Sequence, residues 1–374
     1  VNSGTGGFDS HALPPFSSAP EWGTLIPVSE LPPYTIREYE PGDEVAILDT
    51  FNRVFTGVDP SFVQRTMEEW RWCYLDNPSG WRISIAVTDE GNVISQYAGV
   101  AQRMLLDGEP ASFSQAIDSM TDPAYRRGLK KPGFFVLTGY PYAERYGGTG
   151  ERQDTVMWGL PVPSAWRIGK AYLKYELVRT QLSLLAEVEN LLLPPLGPSG
   201  SGVDIEELSE FPEDAGELFE AHALRAGAMA VRDKAQLDWR YVKNPGHDYR
   251  IAAARRAGKL VGLTVQRSGS FDGVQGSLIC DWMVGAPETA AAPFDFGATV
   301  ELLAWQRAKA KEQDQENIIA LFPDTAPEWL AFQEAGFRAR DSSYFLVGRN
   351  YSKPYDMRWL RQNWYYTLGD TDLC

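Results

Sequence analysis

Polar and apolar side chains alternate from Tyr34 to Tyr39, the period of a half-buried strand. Pro41-Gly42-Asp43 then opens a helix over about 44–55, and a second helix is predicted over about 61–75. After Asn77-Pro78 come three runs of strand composition, 82–88, 93–106 and 111–120. They are joined by Asp89-Glu90-Gly91 and Asp107-Gly108, which read as hairpin turns, so the three form an antiparallel meander. A loop (121–132), a helical stretch (133–146), a short strand (155–159) and a further helix (about 164–174) complete the series, with a last strand pair starting near Glu176.

The same order returns in the second half of the chain. Trp72-Cys73-Tyr74-Leu75-Asp76-Asn77-Pro78 is matched by Trp239-Arg240-Tyr241-Val242-Lys243-Asn244-Pro245, an offset of 167. Four further landmarks follow suit: Ile36-Arg37-Glu38 with Ile205-Glu206-Glu207, Asp107-Gly108 with Asp272-Gly273, Ile117–Met120 with Cys280–Met283, and Gly159-Leu160-Pro161 with Leu321-Phe322-Pro323. Their offsets fall slowly, from 169 through 165 and 163 to 162, as small loop deletions between retained elements would leave them. The second copy's long helix, about 297–313, carries Val300, Leu303, Ala304 and Ala308 on one face. The expected organisation is a Gly/Ser/Pro-rich arm (1–30), a first copy (31–180), a linker (181–202), a second copy (203–350) and an aromatic tail (351–374) that packs back on the body. The predicted fold class is mixed α/β, two tandem copies of one domain, each a central mixed sheet flanked by helices.

Composition narrows the function. Hydrophobic residues make up 44% of the 374 positions, with 12 Trp, 17 Tyr and 17 Phe, enough for two sizeable cores. No apolar run reaches the ~20 residues that cross a bilayer, and residues 1–7 lack the basic and apolar regions of a signal peptide. The net charge of −15 argues against a nucleic-acid partner and suits a cationic substrate. The three histidines are dispersed and neither Cys-x-x-Cys nor His-Glu-x-x-His occurs, so no metal is expected. Three cysteines (Cys73, Cys280, Cys374) are too few to staple a fold of this size, which favours a reducing, cytoplasmic setting.

This order of elements, with a basic loop between the fourth strand and the next helix, resembles the GNAT superfamily of acyl-CoA-dependent N-acyltransferases. Pro123-Ala124-Tyr125-Arg126-Arg127-Gly128 is similar to the loop with which that family wraps the CoA pyrophosphate. Ala331-Phe332-Gln333-Glu334-Ala335-Gly336-Phe337 resembles its signature on the helix after the fifth strand. Arg126, Arg127, Lys130 and Lys131 place four cations in six residues just ahead of Gly133, where a helix start presents unpaired N–H groups and a positive dipole end. The loop departs from the family pattern in its closing Lys130-Lys131-Pro132-Gly133, and Pro141 interrupts the following helix. In the second copy the equivalent stretch, 285–295, has no Arg or Lys and two acids, so acyl-CoA is expected in the first copy alone.

Acyl transfer from a thioester to an amine needs a neutral amine, a polarised carbonyl and a proton for the departing thiolate. The resemblance implies a tyrosine on the helix after the fifth strand as the proton donor. Aligning Ala171-Tyr172 with Ala331-Phe332, an offset of 160, puts Tyr172 in that role, with Tyr175 as the alternative. Asp118 is a candidate base, although Asp281 matches it in the other copy. The backbone of Ser119, Met120 and Thr121 is expected to hold the acyl-pantetheine arm, and Arg126, Arg127, Gly128, Lys130, Lys131 and Gly133 the pyrophosphate. Three readings stand: an N-acyltransferase using acetyl-CoA or another acyl-CoA on a small amine or amino sugar, a Fem-type aminoacyl transferase, and a non-catalytic binding protein. The acidic balance disfavours the tRNA partner of the second.

Overall fold

A computed structural model describes residues 32–126, 132–195, 200–285 and 295–374. In the first half, β1 (Tyr34–Glu38), α1 (Glu44–Val58) and α2 (Met67–Tyr74) lead into the meander β2 (Trp81–Thr88), β3 (Val93–Leu106) and β4 (Glu109–Thr121). These are followed by α3 (Phe134–Tyr146), β5 (Val156–Gly159), α4 (Pro163–Tyr172) and β6 (Glu176–Glu187). The second half repeats the pattern. It runs through β7 (Asp204–Leu208), α5 (Ala215–Ala223), a short β8 (Ala228–Ala230), α6 (Lys234–Leu237), β9 (Arg250–Arg256), β10 (Lys259–Phe271) and β11 (Val274–Val284). Then come α7 (Phe296–Glu312), β12 (Asn317–Ala320), α8 (Pro327–Glu334) and β13 (Arg338–Asn350), and the tail adds α9 (Met357–Asn363) and β14 (Trp364–Tyr365). No described helix is long and apolar enough to cross a membrane.

Helix α2 starts later than periodicity suggests. Thr66 accepts from the Glu69 N–H at 3.2 Å while the Glu69 carboxylate accepts from the Thr66 N–H, and this reciprocal cap fixes the first turn there. Helix α3 runs through Pro141 without ending. A proline inside a helix costs ~3 kcal/mol. Burial of Tyr142, Ala143 and Tyr146 beyond it offsets that cost, since each aromatic ring removes a large apolar area from water.

The strands form one sheet in the order β1-β2-β3-β4-β5-β13-β6-β12-β11-β10-β9-β7. Its centre is an exchange. The first half's last strand, β6, pairs with β12 of the second half, and the second half's last strand, β13, pairs with β5 of the first. The two exchanged strands also pair with one another, antiparallel. The expected boundary at residue 180 therefore falls inside β6, and the first part of the expected linker, through Glu187, is strand. Its Leu184 and Ala186 belong to the same core as Phe113, Leu278 and Ile319, so apolar burial joins the halves rather than separating them.

The tail is built into the body. Trp364 sits edge-on to Phe113 and Trp158, β14 pairs with β8, and β8 pairs with β3. Cys374 forms a disulfide with Cys280, a bond that the expected reducing setting of the three cysteines did not include.

Candidate active site

The site begins at a bulge. Gln96 faces Met120 across β3 and β4, but Ala98 faces Ile117, so β4 holds one residue more than its partner, with Asp118 at φ +52. Strand β5 pairs with β4 over only three rungs, Phe113–Gln115 with Val156–Trp158, and ends at Gly159 while β4 continues to Thr121. The strands thus part beyond Gln115. Ala116–Thr121 and Leu160–Val162 line the opening, which belongs to a cavity of about 1140 Å³ shared by both halves and the tail.

Asp118 is saturated with partners inside that cavity. The Arg65 guanidinium grips both carboxylate oxygens, one at 3.1 Å, and the Tyr74 hydroxyl donates at 2.7 Å. The second half repeats the trio: Arg232 Nε lies 3.4 Å from the Asp281 carboxylate and the Tyr241 hydroxyl donates to it at 3.0 Å. Arg65 and Arg232 share the offset of 167 that relates the tryptophans, a signal lying seven residues upstream of each tryptophan in the repeated tract. A trio present in both copies, beside the matching bulges of β4 and β11, is an anchor for the bulge.

Two tyrosines meet on the other side of the bulge. Tyr97, opposite the extra residue of β4, shares a hydrogen bond between hydroxyls with Tyr175, and both line the cavity. Burial raises the pKa of each well above the ordinary phenol value, so both stay protonated at neutral pH. The two hydroxyls share one hydrogen bond in which either can donate, so one phenol proton is left for the cavity. Lys174, at φ +60, turns the chain out of α4 so that the Tyr175 ring lies against Gly169, where any Cβ would overlap it.

Tyr172 is elsewhere. It is 42% exposed, ends α4, and is absent from the cavity wall. The physical reason is register. The left-handed residues that close α4 and α8 are Lys174 and Gly336, an offset of 162, not 160. Tyr175 is therefore the counterpart of Phe337, and the alanine–aromatic match that put Tyr172 opposite the fully buried Phe332 is two residues out.

At the end of the cavity beyond Thr121, Arg126 donates from Nε to the Thr121 carbonyl at 3.2 Å, and burial holds its pKa below the usual guanidinium value. Gly133, Phe134 and Phe135 also line the cavity, Gly133 as the N-cap of α3. Ser119, Met120 and Thr121 line it from β4. Arg127, Gly128, Lys130 and Lys131 lie outside the described residues. The groups present fit an acyl-CoA: a helix start and a guanidinium for phosphate, then a strand edge for the amides of pantetheine.

The matching opening of the second half is filled by the tail. Strand β11 likewise pairs with β12 over three rungs, Ser277–Ile279. Past them, the Tyr365 hydroxyl donates to the Trp282 carbonyl at 2.8 Å, Cys374 is bonded to Cys280, and Gly369 lies so close that a Cβ would stand 2.6 Å from the Cys280 carbonyl. Glu328, buried on α8 and pushed toward its neutral form by that burial, faces His222 at 3.9 Å. Residues 286–294, the acidic stretch, lie outside the described residues. Asp295 at its end caps α7 and pairs with Arg256.

The chain has the GNAT fold, in tandem, over most of its length. Among solved structures it is similar to a probable N-acyltransferase of unknown function from Enterococcus faecalis V583 (13% identity, TM-score 0.60, 88% of this chain and 74% of that one). It is also similar to a GCN5-related N-acetyltransferase from Anabaena variabilis (12%, TM-score 0.56, 84% and 72%). A third likeness is to Saccharomyces cerevisiae N-myristoyltransferase with bound myristoyl-CoA (12%, TM-score 0.54, 87% and 84%). No sequence-family model and no curated protein sequence matches the chain.

Proposed function

We propose that the chain is an acyl-CoA-dependent N-acyltransferase, using acetyl-CoA or another acyl-CoA on a small-molecule amine, with the reaction confined to the first half. The observation that carries this reading is the single cavity that joins Arg126 and the start of α3 to the parted strands β4 and β5 and to the Tyr97–Tyr175 pair. Bound CoA supplies the activated acyl group as a thioester. The edge of β4 from Ser119 to Thr121 orients the pantetheine arm, and Arg126 with the α3 N-terminus neutralises phosphate charge. The amine nitrogen bonds to the acyl carbon as the carbon–sulfur bond breaks. Tyr175 gives its proton to the departing sulfur, Tyr97 steadies the phenolate by its hydrogen bond, and water returns the proton that the nitrogen releases. The second half contributes the far wall of the cavity and no second reaction centre.

The test is release of free CoA thiol from acetyl-CoA and longer acyl-CoAs against a panel of amines, with calorimetry of CoA binding alongside. Turnover with one CoA bound per chain is expected. Binding without turnover on any amine would favour a ligand-binding role, and failure to bind any acyl-CoA would overturn the proposal.

A further inference from the structure

One part of the cavity lining combines an aromatic wall with a carboxylate that has no cation within ion-pair distance among the described residues. The wall is built from Phe51 and Phe55 on α1 and Phe62 after it, with ring centroids 4.5 Å (Phe51–Phe55) and 5.6 Å (Phe55–Phe62) apart. The Arg65 guanidinium that grips Asp118 lies 4.2 Å over the Phe51 ring, which joins this wall to the bulge. Val58 and Val63, 41% and 60% exposed, continue the apolar surface along the lining. An exposed apolar rim on a water-soluble surface is costly unless something covers it.

The charges of this region are engaged, with one exception. Asp118 is held by Arg65 and Glu69 serves the cap of α2. Asp281 and Asp370 share Arg232, and Arg240 donates to the tail carbonyls of Gly369, Thr371 and Cys374. Asp372 differs. Its side-chain hydrogen bond is to the uncharged amide of Gln115 at 2.5 Å, and among the described residues no cation stands within ion-pair distance. Gln115 is the last rung before β4 and β5 part, so the carboxylate stands at the root of the opening. Its surface is partly accessible and faces the cavity. Desolvation, with the charge of Asp118 adding to it, pushes Asp372 up to about 6, so it is mainly ionised at neutral pH. Arg65 opposes this only from beyond ion-pair distance, so a carboxylate held there weakens the fold, and a cationic ligand would reduce that penalty.

We propose that the acceptor is an apolar primary amine of the arylalkyl or alkyl type, bound as the ammonium form paired with Asp372 and losing one proton to water before attack, with its apolar body against Phe51, Phe55 and Phe62, and not an amino sugar. An amino sugar would set hydroxyls against these apolar rings, and each hydroxyl so placed would lose its water without gaining a partner from them. An arylalkyl amine matches both features at once. This inference rests on the acyltransferase reading, and the experiment separates the two.

The full chain is titrated calorimetrically with 2-phenylethylamine, 2-phenylethanol, 3-phenylpropionate and glucosamine, and each amine is also offered with acetyl-CoA in the thiol-release assay. 2-Phenylethylamine is expected to bind at least tenfold more tightly than the other three. Asp372→Asn should remove that preference over 2-phenylethanol, and Phe55→Leu should weaken 2-phenylethylamine without changing methylamine. The second variant keeps the question open to refutation should Asp372→Asn disturb the tail. Thiol release with glucosamine but not with 2-phenylethylamine would overturn the inference and leave the acyltransferase reading standing. Asp372-dependent binding of 2-phenylethylamine without thiol release from any amine would overturn the acyltransferase reading and leave an amine-binding site. Equal binding of the amine and the alcohol would overturn the inference.

Discussion

The indole rings of Trp72 and Trp239 stack with centroids 5.2 Å apart and planes 18° from parallel, and each donates its N–H to the other's backbone carbonyl, at 2.7 and 2.9 Å. Equivalent residues of the two copies thus hold each other by a reciprocal pair of bonds, as residues on a two-fold axis do. The contact is buried and lies in the wall of the shared cavity.

Replacing either tryptophan by alanine removes a large buried ring and leaves the other tryptophan's backbone carbonyl without its indole donor. We expect a loss of about 3–5 kcal/mol. Trp72→Phe keeps most of the packing and should cost less. Urea unfolding followed by circular dichroism measures both, and a single cooperative transition is expected in each variant because the halves share one core.

Arg65→Ala should be among the most damaging single changes, because it strands the Asp118 carboxylate in a buried site. A loss of about 3–5 kcal/mol is expected, and combining it with Asp118→Asn should recover part of that. Chemical denaturation of the two single variants and the double variant checks the cycle. Full additivity would show that the pair is not an anchor.

The proton donor can be tested by removing one oxygen at a time. Tyr175→Phe should lower kcat by roughly 10²–10⁴ with little change in acyl-CoA affinity, whereas Tyr172→Phe should leave the rate unaltered. Gly169→Ala offers an independent route, since the added methyl displaces the Tyr175 ring. It should lower kcat without touching the hydroxyl itself. Steady-state kinetics on all three variants decides the matter.

Acyl-CoA should bind once per chain. Arg126→Ala with Arg127→Ala removes up to two charge-assisted hydrogen bonds worth ~1.5–3 kcal/mol each, so affinity should fall at least tenfold. Calorimetry reads both the number of sites and the loss. Two equal sites would contradict the closure of the second half by the tail.

The Cys280–Cys374 disulfide closes a loop with a sequence separation of 94. Constraint of the unfolded chain by so long a loop is worth about 4.7 kcal/mol in the chain-entropy model. Cys374→Ser should therefore lower the unfolding free energy by a few kcal/mol, and a reductant should do the same to the parent chain and nothing to the variant. Thermal unfolding with and without reductant reports this directly.

Much of this architecture is legible in the order of the residues, because the signals are local. Strand alternation, hairpin glycines and the tract around Trp72 and Trp239 each act within a few residues, and together they imply a duplicated mixed α/β unit. What escapes is non-local. The exchange of β6 and β13 leaves no trace in either strand's own pattern, since a buried strand reads alike whichever neighbour it pairs with. Cys280 and Cys374 are far apart in sequence, and the tail's aromatic residues announce packing without saying against what. The tyrosine register failed for a different reason. The match of Ala171-Tyr172 to Ala331-Phe332 is a likeness of side chains, whereas the elements are aligned by the backbone turns at Lys174 and Gly336. Asp372 carried no sequence signal at all, because its significance comes from the cavity it faces.

The exchanged last strands set the order in which the molecule can be completed during synthesis. When β6 emerges, both of its neighbours, β12 and β13, still lie more than a hundred residues ahead. The first half therefore waits with the free edges of β5 and β6 exposed, the kind of surface on which other chains can nucleate. Neither half can finish its sheet by itself. Only when the ribosome has delivered residues 338–350 does the seam close, and the segment after them seals the second half's opening and places Asp372 in the wall of the first. Completion of the shared cavity thus waits on residues 338–374.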